Sequence, residues 1–202
     1  VAKQTGISRS NAYNSLASMT EKGATYLVEE GNTRKYVPVP VEEFCKNRIR
    51  RMEEARQWLK IHVPSEKTHV EGYITIEGAR NILDKMRNLL DKVEQRVYIS
   101  CTRNYLLLLV RELEDLKRAG KKVVIVTDQP VTFSGAKVYV GKSRGMQIGV
   151  IADSRYVLTG EYGEGSMNTC LYSGQKNFVE LYKTALGNEI KLLTIQEEKN
   201  KA

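Results

Sequence analysis

Histidine is nearly missing from this chain of 202 residues: His62 and His69 stand alone, and none follows His69. The last two thirds of the sequence therefore hold no imidazole for phosphoryl transfer, acid–base chemistry or metal ligation. Cysteine is equally sparse. Cys45, Cys101 and Cys170 are widely spaced, odd in number and form no CxxC pair. Neither a zinc site nor a disulfide framework is therefore expected, and a reducing cytoplasm fits best. The longest apolar run, YLLLLV at 105–110, is far too short to span a bilayer, and no signal peptide is visible, so no membrane partner is expected. There is no GxGxxG after a strand, no GxxxxGK[ST] and no HExxH, and no cofactor or metal is expected. Low-complexity tracts and repeats of 20 to 50 residues are also missing.

What is present is positive charge. The formal net charge is +8, and hydrophobic residues make up 41%. The composition is that of an ordinary folded protein. The basic balance suggests a polyanionic partner such as nucleic acid, although charge of this size also serves solubility.

Residues 1–41 read as one small unit. VAKQTG looks like a helix end stopped by Gly6. Ser8 is placed to cap a second helix, in which Ala12, Leu16 and Met19 recur at helical spacing and would face a core. Gly23 ends that helix. ATYLVEE and TRKYVPV then read as two strands joined by a Gly31-Asn32 turn. The chain opens at Val1 already inside a helical pattern, so a preceding helix is expected to be missing.

The second helix begins with Ser8, Arg9, Ser10, Asn11, Tyr13 and Asn14, a first turn rich in hydrogen-bonding side chains. That composition suits the recognition helix of a helix-turn-helix. Serines and the helix N-terminus suit phosphate, arginine pairs with guanine, and asparagine pairs with adenine. Asn32, Arg34 and Lys35 lie at the hairpin tip, where a wing would touch phosphates or the minor groove. Double-stranded DNA is thus the expected partner.

These residues resemble a known family. Thr5, Gly6, Ile7, Ser8, Arg9, Tyr13, Leu16, Gly23, Tyr36 and Pro38 match the winged helix of the TrmB-family transcriptional regulators. The resemblance implies a further helix before residue 1, a dimerising helical linker after the winged domain and, for some members, a response to sugars. Residues 42–69 fit such a linker. Cys45, Ile49, Met52, Ala55 or Arg56, and Leu59 fall near a 3–4 spacing, the narrow seam of a short coiled coil, or else of a helix packed within its own chain. A homodimer is expected.

Residues 70–196 alternate strands with helices, which argues an α/β sheet with parallel neighbours. One helix is expected over 79–93, a second over 105–119 and a last over 175–190. This half resembles phospholipase D-like domains, whose catalytic signature is His-x-Lys-x4-Asp followed by Gly-Ser-x-Asn. In the nearest register, Met146 replaces the histidine, Ile148 replaces the lysine, and only Asp153 remains. Gly160 keeps the glycine, Glu161 replaces the serine, and GSMN at 165–168 is displaced by five residues. A thioether and an alkyl group can neither attack nor stabilise a phosphoryl centre, so no catalytic residue is expected. Asp128, Asp153 and Glu161, with Glu164, are placed as carboxylates around a possible effector pocket at strand ends. Cys101 reads as a buried small hydrophobe rather than a reactive thiol. The fold class expected is α+β and α/β: a winged helix-turn-helix, a helical linker and a phospholipase D-like sheet domain. The function expected is a dimeric transcription regulator. Its rivals are a nuclease or phosphodiesterase and a protein-interaction module.

Overall fold

Gly6 adopts φ 70°, a left-handed conformation that ends helix α1 (Ala2–Thr5) in a single turn. Two residues later Ser8 turns extended and caps α2 (Arg9–Glu21). Gly31, at φ 59°, then allows the tight turn between β1 (Thr25–Glu30) and β2 (Thr33–Pro38), which pair antiparallel from Thr25↔Pro38 to Glu30↔Thr33. Helix α3 (Val41–His62) follows, with Glu42 and Glu43 in its first turn and Lys60 and His62 in its last, complementing the helix dipole at both ends. The computed structural model describes residues 1–31, 33–64, 72–142, 145–164 and 167–199. It divides into two compact units, 1–68 and 69–202.

The core of the first unit is small. Its buried side chains among the described residues are Ala12, Thr25 and Val39. Met19, expected to face that core, is 47% exposed. The close approach it would need is taken instead by Thr20, whose Oγ1 lies 2.8 Å from Thr25 Oγ1. No residue of α3 is buried.

The second unit is a seven-stranded sheet in the order β3-β9-β8-β7-β4-β5-β6. Its strands are β3 (Tyr73–Glu77), β4 (Arg96–Ser100), β5 (Lys122–Thr127), β6 (Lys137–Val140), β7 (Gln147–Ala152), β8 (Tyr156–Glu161) and β9 (Thr169–Ser173). Only β4, β5 and β6 run parallel; β7, β8, β9 and β3 are antiparallel neighbours. The expectation of a parallel sheet holds for one end only. The reason is local: Asp153 and Ser154, at φ 49° and 54°, begin a three-residue connection that folds β8 straight back on β7.

Alternation of side chains gives the sheet two apolar faces. Val97, Ile99, Ile125, Ile148, Val150 and Leu158 face α4 (Ala79–Leu90), which buries Ile82, Met86, Leu89 and Leu90, and α6 (Val110–Arg118). Each fully buried aliphatic side chain contributes about 1.5–3 kcal/mol. Val124, Val126, Ile151 and Val157 face α7 (Lys176–Lys199), which buries Val179, Leu186 and Leu193.

Two helix expectations change. The helix placed over 105–119 is three pieces: α5 (Arg103–Leu106), a 3-10 turn (Leu107–Leu109) and α6. Four consecutive leucines cannot share one helical face; Leu106 and Leu109 are buried, while Leu107 and Leu108 are exposed. Helix α7 runs nine residues beyond Ile190 because Leu193 continues its buried face against the sheet.

Candidate nucleic-acid interface

The first turn of α2 is held by its own sequence. Ser8 Oγ accepts a hydrogen bond from the Asn11 backbone N–H at 3.2 Å, which fixes the helix start. Ala12 is buried and anchors the inner face. Arg9, Ser10, Asn11, Tyr13 and Asn14 are all exposed, Tyr13 at 63%. None of these five side chains is hydrogen-bonded to a described residue, so their donors and acceptors face solvent. Ser8 differs: its oxygen already serves the helix.

The wing is built differently from the sequence expectation. Register places Arg34 opposite Glu29, and Arg34 Nε donates to Glu29 Oε1 at 2.9 Å. Lys35 Nζ donates to Glu30 Oε2 at 2.5 Å. Both cations expected to contact phosphate are therefore paired with carboxylates of the opposite strand. All four side chains are well exposed, so each pair is worth about 0–1 kcal/mol and is open to competition. Asn32 lies outside the described residues. Behind the hairpin, Tyr26 Oη donates to Glu43 Oε1 at 2.6 Å, tying β1 to α3 and raising the phenol pKa above its usual value.

Helix α3 presents its seam to solvent. Ile49 is 69% and Met52 72% exposed, and Leu59, Val63 and Cys45 are exposed as well. Trp58, stacked on His62, lies on another face of the same helix.

In the second unit the degenerate phospholipase D register maps onto the start of β7. Ile148 is 3% exposed and belongs to the core facing α4. Met146 precedes the strand, and its carbonyl accepts from Tyr162 N–H at 2.8 Å. Tyr162 packs edge-on against Tyr105, 5.0 Å between ring centres. Gly160 is required by close packing: a Cβ there would lie 2.2 Å from the Thr169 carbonyl oxygen. Of the GSMN stretch, Gly165 and Ser166 lie outside the described residues. Asn168 hydrogen-bonds both the N–H and the carbonyl of Gly163 through its side-chain amide.

Asp128, Asp153 and Glu161 do not line one pocket. Asp153 accepts the backbone N–H groups of Glu94, Gln95 and Arg96 at 2.7, 2.8 and 2.9 Å, at the N-terminal end of β4. Asp128 follows the C-terminal end of β5 and accepts from Arg103 N–H at 2.8 Å, at the start of α5. Because β4 and β5 are parallel, these two carboxylates sit at opposite ends of the sheet. Partial burial of Asp153 works to raise its pKa. The three N–H donors, with Arg155, outweigh it and hold the carboxyl below its usual value. Glu161 lies at the same end as Asp128, and it borders a cleft between β7, β8 and α7. Glu164 is exposed. Cys101 is wholly buried, and burial pushes the Cys170 thiol up to about 11. Sequence reasoning missed the cleft and the wing's ion pairs. The Arg34–Glu29 pair had a signal, since a two-residue turn sets residues five apart across from each other; Lys35 lies opposite Val28, and its contact with Glu30 is diagonal.

No family model matches the chain. Uncharacterized protein YrhO of Bacillus subtilis (strain 168) is 29% identical over 192 residues, 94% of this chain and 64% of that protein. The chain thus spans less than two thirds of the curated relative it matches. Among solved structures, TrmBL2, described as an archaeal chromatin protein with a novel mode of DNA binding, gives a TM-score of 0.52 at 17% identity. The match covers 89% of this chain and 80% of that one. The fold is a winged helix-turn-helix, a helical linker and a phospholipase D-like sheet domain. NucT from Helicobacter pylori is similar over 59% of this chain and 97% of its own, at 13% identity and a TM-score of 0.48. Among the described residues, no helix is long and apolar enough to cross a membrane, and no group of three or more histidine, cysteine or acidic residues could hold a metal ion.

Proposed function

We propose that the chain is a DNA-binding transcription regulator that works as a homodimer. The observation that carries this reading is the capped first turn of α2, which presents Arg9, Ser10, Asn11, Tyr13 and Asn14 to solvent with their hydrogen-bonding groups unspent. A helix so arranged enters a major groove, with Arg9 and Asn11 on base edges and Ser10 on phosphate. TrmBL2, which shares the fold, is described as binding DNA, and this supports the same role here. The exposed seam of α3 supports pairing of two copies through a short coiled coil. The domains then fall at 1–41 for DNA reading, 42–69 for pairing and 70–196 for sensing a small-molecule effector or for further dimer contact.

The second unit is non-catalytic in this reading. A phospholipase D reaction needs a histidine nucleophile and a lysine beside the phosphoryl oxygens. Met146 and the core residue Ile148 stand in their places. A gel-shift titration on random duplexes at two salt concentrations tests the DNA contact. Binding that weakens steeply with salt is expected. Absence of binding at low salt overturns the proposal in favour of a protein-interaction module. Cleavage of a chromogenic phosphodiester would overturn the non-catalytic assignment.

A further inference from the structure

The cleft beneath α7 has a volume of about 310 Å3. It lies on the α7 face of the sheet, opposite the face into which Ile148 packs. Its floor is a cross-strand row: register aligns Ser100 of β4 with Gly149 of β7, and Gly149 with Thr159 of β8. Gly149 has no side chain, so a notch stays open between the two hydroxyl-bearing neighbours.

Ser100 is 6% exposed, yet its hydroxyl has no hydrogen-bond partner among the described residues and borders the notch. Its oxygen is not sealed from solvent, so it is open to a polar group bound in the cleft. The protons around it are already committed. Thr159 Oγ1 donates to the Ile148 carbonyl at 3.1 Å. Its contact with Tyr182 Oη, 2.5 Å away, must then use the tyrosine proton. Oxygen lone pairs are what these groups have left to offer. The carboxylate of Glu161 also lines the cleft, and no lysine or arginine does among the described residues. A site rich in acceptors and acidic at its border repels anions and selects a ligand that carries N–H donors and positive charge.

We propose that this cleft binds a short-chain α,ω-diamine, seated over Gly149, with one ammonium group on Glu161 and the other on Ser100. This names the site and ligand class for the sensing role assigned above, and as regulation it rests on that reading. The binding itself does not require DNA contact.

The test is calorimetric titration of the whole chain, without DNA, with alkylamines and α,ω-diamines of two to six carbons. The matching diols and acetate serve as controls. Saturable binding of one diamine per chain is expected, with the matching diol at least tenfold weaker. Gly149→Ala should reduce affinity at least tenfold while leaving the fold intact, because its Cβ would meet Ser100 Cβ at an ordinary 3.8 Å. Glu161→Gln, an exposed substitution, should do the same. No saturable heat from any diamine overturns the proposal, as does equal binding of a diol or a monoamine. Diamine binding unchanged by both substitutions also overturns it, by placing the ligand elsewhere. A failed gel shift leaves all of these outcomes unaffected.

Discussion

Single side chains carry most of what separates the expected wing from the observed one. Glu29 and Glu30 neutralise Arg34 and Lys35, so each cation must leave a weak partner before it can meet a phosphate. Replacing Glu29 and Glu30 with glutamine should therefore tighten binding to all duplexes. It should also steepen the dependence of log affinity on log salt by up to about 0.9 per freed cation. A gel shift over a salt series checks this, and unchanged affinity would place the wing away from the duplex. Replacing Arg9 or Asn11 with alanine should cost about 1–3 kcal/mol at one base pair and relax sequence preference there. Selection from a random duplex pool reads that loss directly. Asp153 has a structural role. Asp153→Ala strips three N–H groups of their acceptor and should lower stability by about 1–2 kcal/mol. Asp153→Asn should cost less, since asparagine tolerates the left-handed turn and keeps one acceptor. The carboxyl is held below its usual pKa, so its contribution is present above the ordinary aspartate range near ~3.9 and fades as pH falls through the lower native value. Urea melts at neutral and acid pH should show the parent and Asp153→Ala converging in acid.

Among the elements, α3 makes the sharpest prediction. A parallel, in-register pair of α3 helices would bring the two Cys45 residues together at the start of the seam. The other two cysteines are buried, so a mild thiol oxidant should link two chains through Cys45 alone. The covalent dimer should vanish in Cys45→Ser on a non-reducing gel. A chain that stays monomeric under oxidant would remove the parallel coiled coil. The sequence made α3, the Ser8 cap and the turn at Gly31 legible, because each depends on residues within a few positions of one another. The 105–119 segment was not legible as three pieces. Its break depends on which leucines find room between α4 and the sheet, and no local rule states that. Gly160 looked like the remnant of a catalytic motif, whereas the approach of the Thr169 carbonyl explains it fully. Gly160→Ala should destabilise the second unit by about 1–3 kcal/mol in thermal unfolding.

For the molecule as a whole, the outline from sequence holds: a winged helix-turn-helix, then a long helix, then a sheet domain. Strand direction did not follow from alternation alone. Parallel and antiparallel partners are chosen by turn length and by which apolar face meets which helix, and β7 through β9 are joined by short connections. The three carboxylates were grouped because each follows a strand. The parallel pairing of β4 and β5 is what sends Asp153 to the far end. Ser100 and Gly149 became neighbours through the antiparallel pairing of β4 with β7, at a sequence separation no local rule spans.

The length of α3 has a mechanical consequence. Its 22 residues make a rod about 33 Å long. Tilting such a rod by roughly 10° about one end swings the other by about 6 Å, close to two base-pair steps. Two rods clamped side by side would resist that swing, so stiffness along the clasp, more than affinity at either tip, would decide how much spacing error between half-sites the pair tolerates.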